Sequence, residues 1–350
     1  MQESVAVSRH SRWVLAPLLI VITLALAWSG LWLYAKRVAE TTIDAWMERE
    51  AKVGRMYTCA SRTIGGYPFR IEMRCADPAA ELRGEGAQVA LKARELLAVS
   101  QVYRPDLLIA EITGPMMIAE SGNVSNFVAD WTLMQASVRG LPIAPERISI
   151  VLDQPKLRRS NAPGAELLAR AEHVEFHVRR SIGAGPGTPA FDLAAQAIGA
   201  VIPSVAALAA RPLNAEATAV LRGVADLSPK PIATRLREWQ AAGGRLEIAS
   251  ARVQQGDALA VARGDLGLSG RGRLEGMVNL TIAGFDEVLR TIGLPSLQGR
   301  SQGNLLAGLS SILGGTAELE GKRAATIPLR FNDGAVFLGP LPLGQVPAAY

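Results

Sequence analysis

The chain has 350 residues, 49% of them hydrophobic and 20% charged. That is enough apolar material for a sizeable core and too apolar for bulk disorder. The net charge is +5, but residues 1–37 carry Arg9, Arg12, Lys36 and Arg37 against Glu3, which is +3 and leaves +2 for the rest. With aromatics at 5%, this spread of charge excludes the clustered basic face and stacking aromatics of a nucleic-acid binder.

In chain order, residues 1-12 form a short tail that the reading places in the cytoplasm. Trp13 to Ala35, "WVLAPLLIVITLALAWSGLWLYA", holds no charged residue. A helix over this run rises about 34 Å, enough for a bilayer core of about 30 Å. Trp13 lies at one end and Trp28, Trp32 and Tyr34 towards the other, as in interfacial aromatic belts. Ala25-Leu26-Ala27 matches the small-x-small pattern of a cleaved signal peptide. The apolar run continues through Leu31, Leu33 and Ala35, which favours an uncleaved anchor over cleavage after Ala27. Positive charges flank both ends, so charge counting does not orient the span. Residues 36-56 have few helix breakers and are expected to prolong the anchor as a juxtamembrane helix.

Cys59 and Cys75, the only two cysteines, lie in "YTCASRTIGGYPFRIEMRC". Gly65, Gly66, Tyr67 and Pro68 read as a tight turn between two strand-like segments. A turn centred on Tyr67 makes Cys59 face Cys75 across an antiparallel pair. Opposed Cβ atoms there are about 4.5–5.5 Å apart, within reach of a disulfide. Two reduced, buried cysteines are the other reading. A disulfide after an N-terminal span implies an oxidising compartment, so the sequence predicts an inner-membrane protein with its bulk in the periplasm.

From Tyr57 the pattern becomes short apolar segments divided by Gly and Pro: "AQVALKA", "DLLIAEITG", "WTLMQASVRG", "ERISIVLDQP" and "HVEFHVRR". Each has strand length and ends near a turn former. "GAGPGTP", 183–189, divides an expected first β region, 57-182, from a second, 190-350. The second begins with "FDLAAQAIGAVI" and "AEATAVLRGVADL". A helix is predicted from Pro231 to Ala242, capped by Gly243. A meander follows over Gly244–Gly284, turning at Gly256-Asp257. Two further helices are expected at Phe285–Ile292 and Gln302–Leu313, and a closing hairpin over Asn332-Asp333-Gly334. The fold class is therefore mainly β: antiparallel meanders forming a curved sheet or groove, with a few short packing helices and one N-terminal transmembrane helix.

Polar groups that could converge for catalysis are sparse. His173 and His177 bracket Glu175. On a strand the two histidines stand about 13 Å apart, too far to share an ion bound at about 2.1 Å, so a solvated strand face is expected and no metal. The glycine runs at 183–187 and 270–276 lack a phosphate-binding pattern, and no serine sits in G-x-S-x-G. The reading is no enzyme, no catalytic residue and no cofactor.

"IGGYPFRIEMRC", "VYRPDLLIAEITGPM" and "LRFNDGAVFLGPLPLG", together with the single span, resemble an uncharacterised proteobacterial envelope family, domain of unknown function 2125. That family has no assigned activity, so the resemblance implies no catalytic residues. The Gly244–Gly284 meander is similar in pattern to AsmA-like proteins, which are anchored envelope proteins with a curved β groove. That likeness implies lipid traffic or outer-membrane assembly. Two functions are thus expected. One is an anchored protein that handles phospholipid on an apolar concave face. The other is a scaffold or assembly factor that binds another envelope protein.

Overall fold

The computed structural model describes residues 11–84, 87–120, 127–141, 144–160, 166–182, 189–203, 210–225, 227, 232–284, 316–338 and 341–350. The helices expected at Phe285–Ile292 and Gln302–Leu313 lie outside them.

The first helix, α1 (Ser11–Lys52), fuses the expected span and juxtamembrane helix into one rod about 63 Å long. It ends where Gly54, at φ +82°, takes a conformation few other residues adopt. Its N–H bonds back to the Ala51 carbonyl at 3.1 Å. The juxtamembrane helix is therefore shorter than 36-56: a strand has begun by Arg55.

Between Arg55 and Arg180 the strands come as a regular alternation between two sheets. A shorter sheet takes β1 (Arg55–Thr58), β4 (Ala79–Gly84), β5 (Ala87–Lys92), β8 (Met116–Glu120), β9 (Phe127–Asp130), β12 (Lys156–Arg159) and β13 (Glu166–Arg170). A longer sheet takes β2 (Ser61–Gly65), β3 (Arg70–Ala76), β6 (Glu95–Gln101), β7 (Arg104–Thr113), β10 (Leu133–Arg139), β11 (Arg147–Asp153) and β14 (His173–Arg180). All pairings are antiparallel, in the hairpin order that short connections favour.

Each crossing between the sheets is made by two residues: Cys59-Ala60, Asp77-Pro78, Ala93-Arg94, Gly114-Pro115, Trp131-Thr132, Gln154-Pro155 and Ala171-Glu172. Three of these corners carry proline, which cannot donate to a ladder and so ends it. Asp77 and Gln154 sit at positive φ, which turns the chain sharply. Neighbouring corners bond to each other: Asp77 N–H to the Arg94 carbonyl (3.0 Å), Arg94 N–H to that of Thr113 (3.1 Å), Thr132 N–H to that of Asp153 (2.9 Å) and Gln154 N–H to that of Glu172 (2.8 Å). The Trp131 indole donates to the Ile112 carbonyl at 2.7 Å and closes the line. The two sheets are thus one antiparallel ribbon folded along a crease, with few backbone groups left unpaired there.

The longer sheet then continues alone through β15 (Ala190–Ala200), β16 (Leu213–Arg222), β17 (Arg245–Gln255), β18 (Ala258–Leu268), β19 (Leu274–Ala283), β21 (Lys322–Asn332), β22 (Ala335–Leu338) and β23 (Leu341–Gln345), with β20 (Thr316–Leu319) paired to β21. β14 and β15 are bonded neighbours, so 57-182 and 190-350 share one sheet across 183–189. The short helix α2 (Ile232–Ala241) precedes β17, with Gly243 at φ +64° behind it. Pro231 is outside the described residues. The closing hairpin turns on Asp333 and Gly334, both at positive φ, the two-residue geometry that Asp-Gly favours.

Candidate functional site: an apolar trough

Strand register decides which residues share a face. Following directly opposed partners across the longer sheet gives one uninterrupted row: Ile64, Met73, Ala98, Ala110, Ala136, Ile150, Phe176, Ala195, Ala217, Ala251, Ala262, Leu280 and Ile327. Every member is apolar. The next row, two residues away on each strand except β17, where a bulge makes it three, repeats this: Ile71, Ser100, Leu108, Val138, Ile148, Val178, Leu193, Ala219, Ile248, Gly264, Val278, Leu329 and Leu338. Its one polar side chain is Ser100, whose buried hydroxyl finds no partner in the protein. On the opposite face the intervening row reads Glu72, Val99, Ile109, Ser137, Ser149, His177, Ala194 and Thr218. One side of the sheet is thus apolar from β2 to β22 and the other mixed.

The shorter sheet folds over the apolar side. Leu152, Val174 and Ala197 of the longer sheet face Ala129, Leu157 and Ala169 of the shorter one across a cleft of about 340 Å³, with Trp131 at its crease end. Away from the crease the same face is covered differently. Val178, Phe191 and Val224 are buried, packed against Ile148 and Leu193 beside them on the sheet and against Leu221, Leu227 and Trp239. Trp239 lies on α2, and its indole donates to the Arg222 carbonyl at 2.6 Å. Gly244 lies directly beneath that indole, where an added Cβ would collide.

Between these two walls the floor is only half covered. In the first row Ala98 alone is buried, while Phe176 is 39% exposed. A closed core would bury its central side chains almost completely. Here, among the described residues, Phe191 and Cys75 are the largest fully buried side chains. The floor of the middle row is mostly alanine, which leaves depth between the walls.

The disulfide exists, and its register corrects the sequence reading. Cys59 and Cys75 are bonded, with Cα atoms 5.4 Å apart, yet they are not opposed. Cys75 faces Arg62, Met73 faces Ile64 and Glu72 faces Gly65. Cys59 stands before β2, at the first corner, and the bridge spans that corner instead of a ladder rung. The turn is centred later than Tyr67: the Arg70 N–H bonds the Gly66 carbonyl at 3.2 Å, with Gly66 at φ +98° and a cis bond between Tyr67 and Pro68. Gly66 supplies a conformation that a Cβ would block against Arg70. Gly65 is a strand residue.

His173 and His177 do lie on one strand face, outside the trough. Asp153 Oδ1 is 2.6 Å from His173 Nδ1. Glu175 then spans the gap, Oε1 at 2.8 Å from His173 Nε2 and Oε2 at 2.9 Å from His177 Nε2. The hydrogen bond to Glu175 chiefly, then that to Asp153, raises the His173 pKa. The bonds from His173 and His177 hold the Glu175 carboxyl below its ordinary value. Among the described residues no group of three or more His, Cys, Asp or Glu could hold a metal ion.

The sequence predicts a curved sheet with an apolar concave face; which residues form its floor depends on register and is not legible in the sequence. One signal could have revealed the crease: Pro78, Pro115 and Pro155 recur at intervals of about forty residues, each two residues after the end of a strand.

Fold and site together define a protein with one long apolar helix, the one helix among the described residues long and apolar enough to cross a membrane, joined to a folded-over antiparallel sheet with an apolar floor. Over residues 32–347 the chain matches the family described as "Uncharacterized protein conserved in bacteria (DUF2125)", and it belongs to that family. Among curated proteins none matches it in sequence.

Proposed function

We propose that this is an inner-membrane protein, held by residues 13-35, whose β body lies in the periplasm and shelters the acyl chains of phospholipid along its trough. It acts by binding and carries out no covalent chemistry. The observation that supports this most is the apolar row running strand to strand across the longer sheet and left half covered. Transfer of apolar surface out of water gains about 25 cal/mol per Å², so a continuous greasy floor of this kind favours a flexible apolar guest. The disulfide at the first corner is in keeping with an oxidising compartment.

Extraction of the purified full chain, followed by mass spectrometry of the lipid, tests it. Stoichiometric phospholipid is expected from the wild type. Phe176→Asp should remove most of it, because a carboxylate on the floor must be desolvated against an acyl chain. A lipid-free wild type that crosslinks to one envelope protein would replace this reading by the scaffold one.

A further inference from the structure

The turn between β2 and β3 is fastened to α1 inside the charge-free run. The Trp28 indole donates to the Pro68 carbonyl (2.8 Å), the Trp32 indole to the Arg70 carbonyl (2.9 Å), and Ser29 Oγ lies 2.9 Å from the Tyr67 hydroxyl. Phe69 leans on Trp28 with ring centroids 6.0 Å apart, and Tyr67 meets Trp32 edge-on at 5.4 Å. The next turn, between β6 and β7, joins it: the Val102 N–H bonds the Phe69 carbonyl at 3.1 Å. Three large rings remain outward on these two turns, Tyr67 58%, Phe69 60% and Tyr103 63% exposed.

We propose that the two turns form a bilayer-docking element, with Tyr67, Phe69 and Tyr103 seated among the lipid headgroups and upper acyl chains beside α1. The inference rests on the anchoring part of the function proposed above and not on its lipid-holding part.

Position along the helix carries the argument. Trp28 stands about 10 Å before Ala35, where the charge-free run ends, counted at 1.5 Å per residue. A run of about 34 Å exceeds a hydrocarbon core of about 30 Å by little. Whatever touches Trp28 and Trp32 therefore sits at or just within the interface once α1 spans the membrane. Backbone polar groups are tolerated at that depth only when bonded within the protein. The turn meets much of this demand: the carbonyls of Gly66, Pro68, Phe69 and Arg70 each accept an N–H, and Pro68 has no N–H to satisfy. Tyrosine suits the interface because its ring is apolar and its hydroxyl polar. Docked in this way, the turns fix the first edge of the trough against the bilayer surface.

The wild type has no free cysteine, so one introduced thiol can be labelled cleanly. The probe is an environment-sensitive fluorophore on the full chain in phosphatidylglycerol–phosphatidylethanolamine vesicles, with spin-labelled phospholipid as quencher. Arg104→Cys reports the turns, Leu24→Cys the span and Leu343→Cys a site on the last strand. The expected result is blue-shifted, quenched emission at 24 and at 104, and unshifted, unquenched emission at 343. Adding Phe69→Ser and Tyr103→Ser should abolish the shift at 104 and leave that at 24. Quenching at 24 with none at 104 overturns the docking element and leaves the anchor standing. No quenching at 24 overturns both. Undiminished quenching at 104 in the serine background overturns the role of the rings. Lipid extraction tests the trough separately.

Discussion

Cys59→Ser opens the bridge at the first corner, where α1 passes into the β body. The bridged residues are 16 apart in sequence, and the chain-entropy relation for a loop of that size gives about 3 kcal/mol. Little should be added by a cavity. Cys59 is only half-buried, while Cys75, 1% exposed, stays in place with its sulfur 4.0 Å from the Thr58 carbonyl. The contacts that fix α1 to the corner also survive: Trp46 stacked on Tyr57 at 4.7 Å, Arg55 paired with Glu50 at 2.9 Å, and Arg62 with Asp44 at 2.6 Å. The loss should therefore come chiefly from a freer unfolded chain. Urea unfolding of the full chain in detergent, followed by circular dichroism, measures it. With a slope of about 1–3 kcal/mol per M, the midpoint of Cys59→Ser should fall by about 1 M or more, and reduced wild type should match the variant. A variant with the wild-type midpoint and slope would refute the reasoning. So would two free thiols in unreduced, unfolded wild type.

Three further outcomes follow from the same geometry. Ala195→Trp, which places a ring on the trough floor beside Phe176, should displace co-purified phospholipid while leaving the disulfide and the circular dichroism spectrum unchanged. Gly244→Ala should destabilise by about 1–3 kcal/mol, as overpacking does, because the new methyl displaces Trp239 from the buried cluster around Val178 and Phe191; the urea midpoint reports it. The His173–Glu175–His177 network should give a pH dependence whose sign is fixed. A raised folded pKa means that the stability contributed by protonated His173 is complete below its unfolded value of about 6.5 and is lost as pH rises through the folded one. Glu175, lowered, contributes above its unfolded value and loses this as pH falls through its folded one. The urea midpoint of wild type should therefore decline as pH rises from about 6.5 through the folded value of His173, and Glu175→Gln should flatten that decline.

Much of this molecule was readable before its structure. The charge-free run from Trp13 to Ala35 needs only helical rise to be matched with a bilayer. The alternation in "HVEFHVRR" and the Asp333-Gly334 pair specify strand and turn through local backbone chemistry, and the nearness of Cys59 to Cys75 follows from their closeness in sequence. Periodicity and turn residues act over a few residues, so sequence carries them. What only the tertiary structure decided is how strands match their neighbours. The bridge crosses a corner instead of joining opposed residues because the turn closes later than Tyr67, and no local signal fixes that shift. The fold of the sheet along its crease, the unbroken row from Ile64 to Ile327 and the seating of Tyr67 and Phe69 on Trp28 and Trp32 all join residues far apart in the chain. Each depends on register summed over many pairings, and a shift of one residue in any of them would have turned that strand's apolar side to the opposite face.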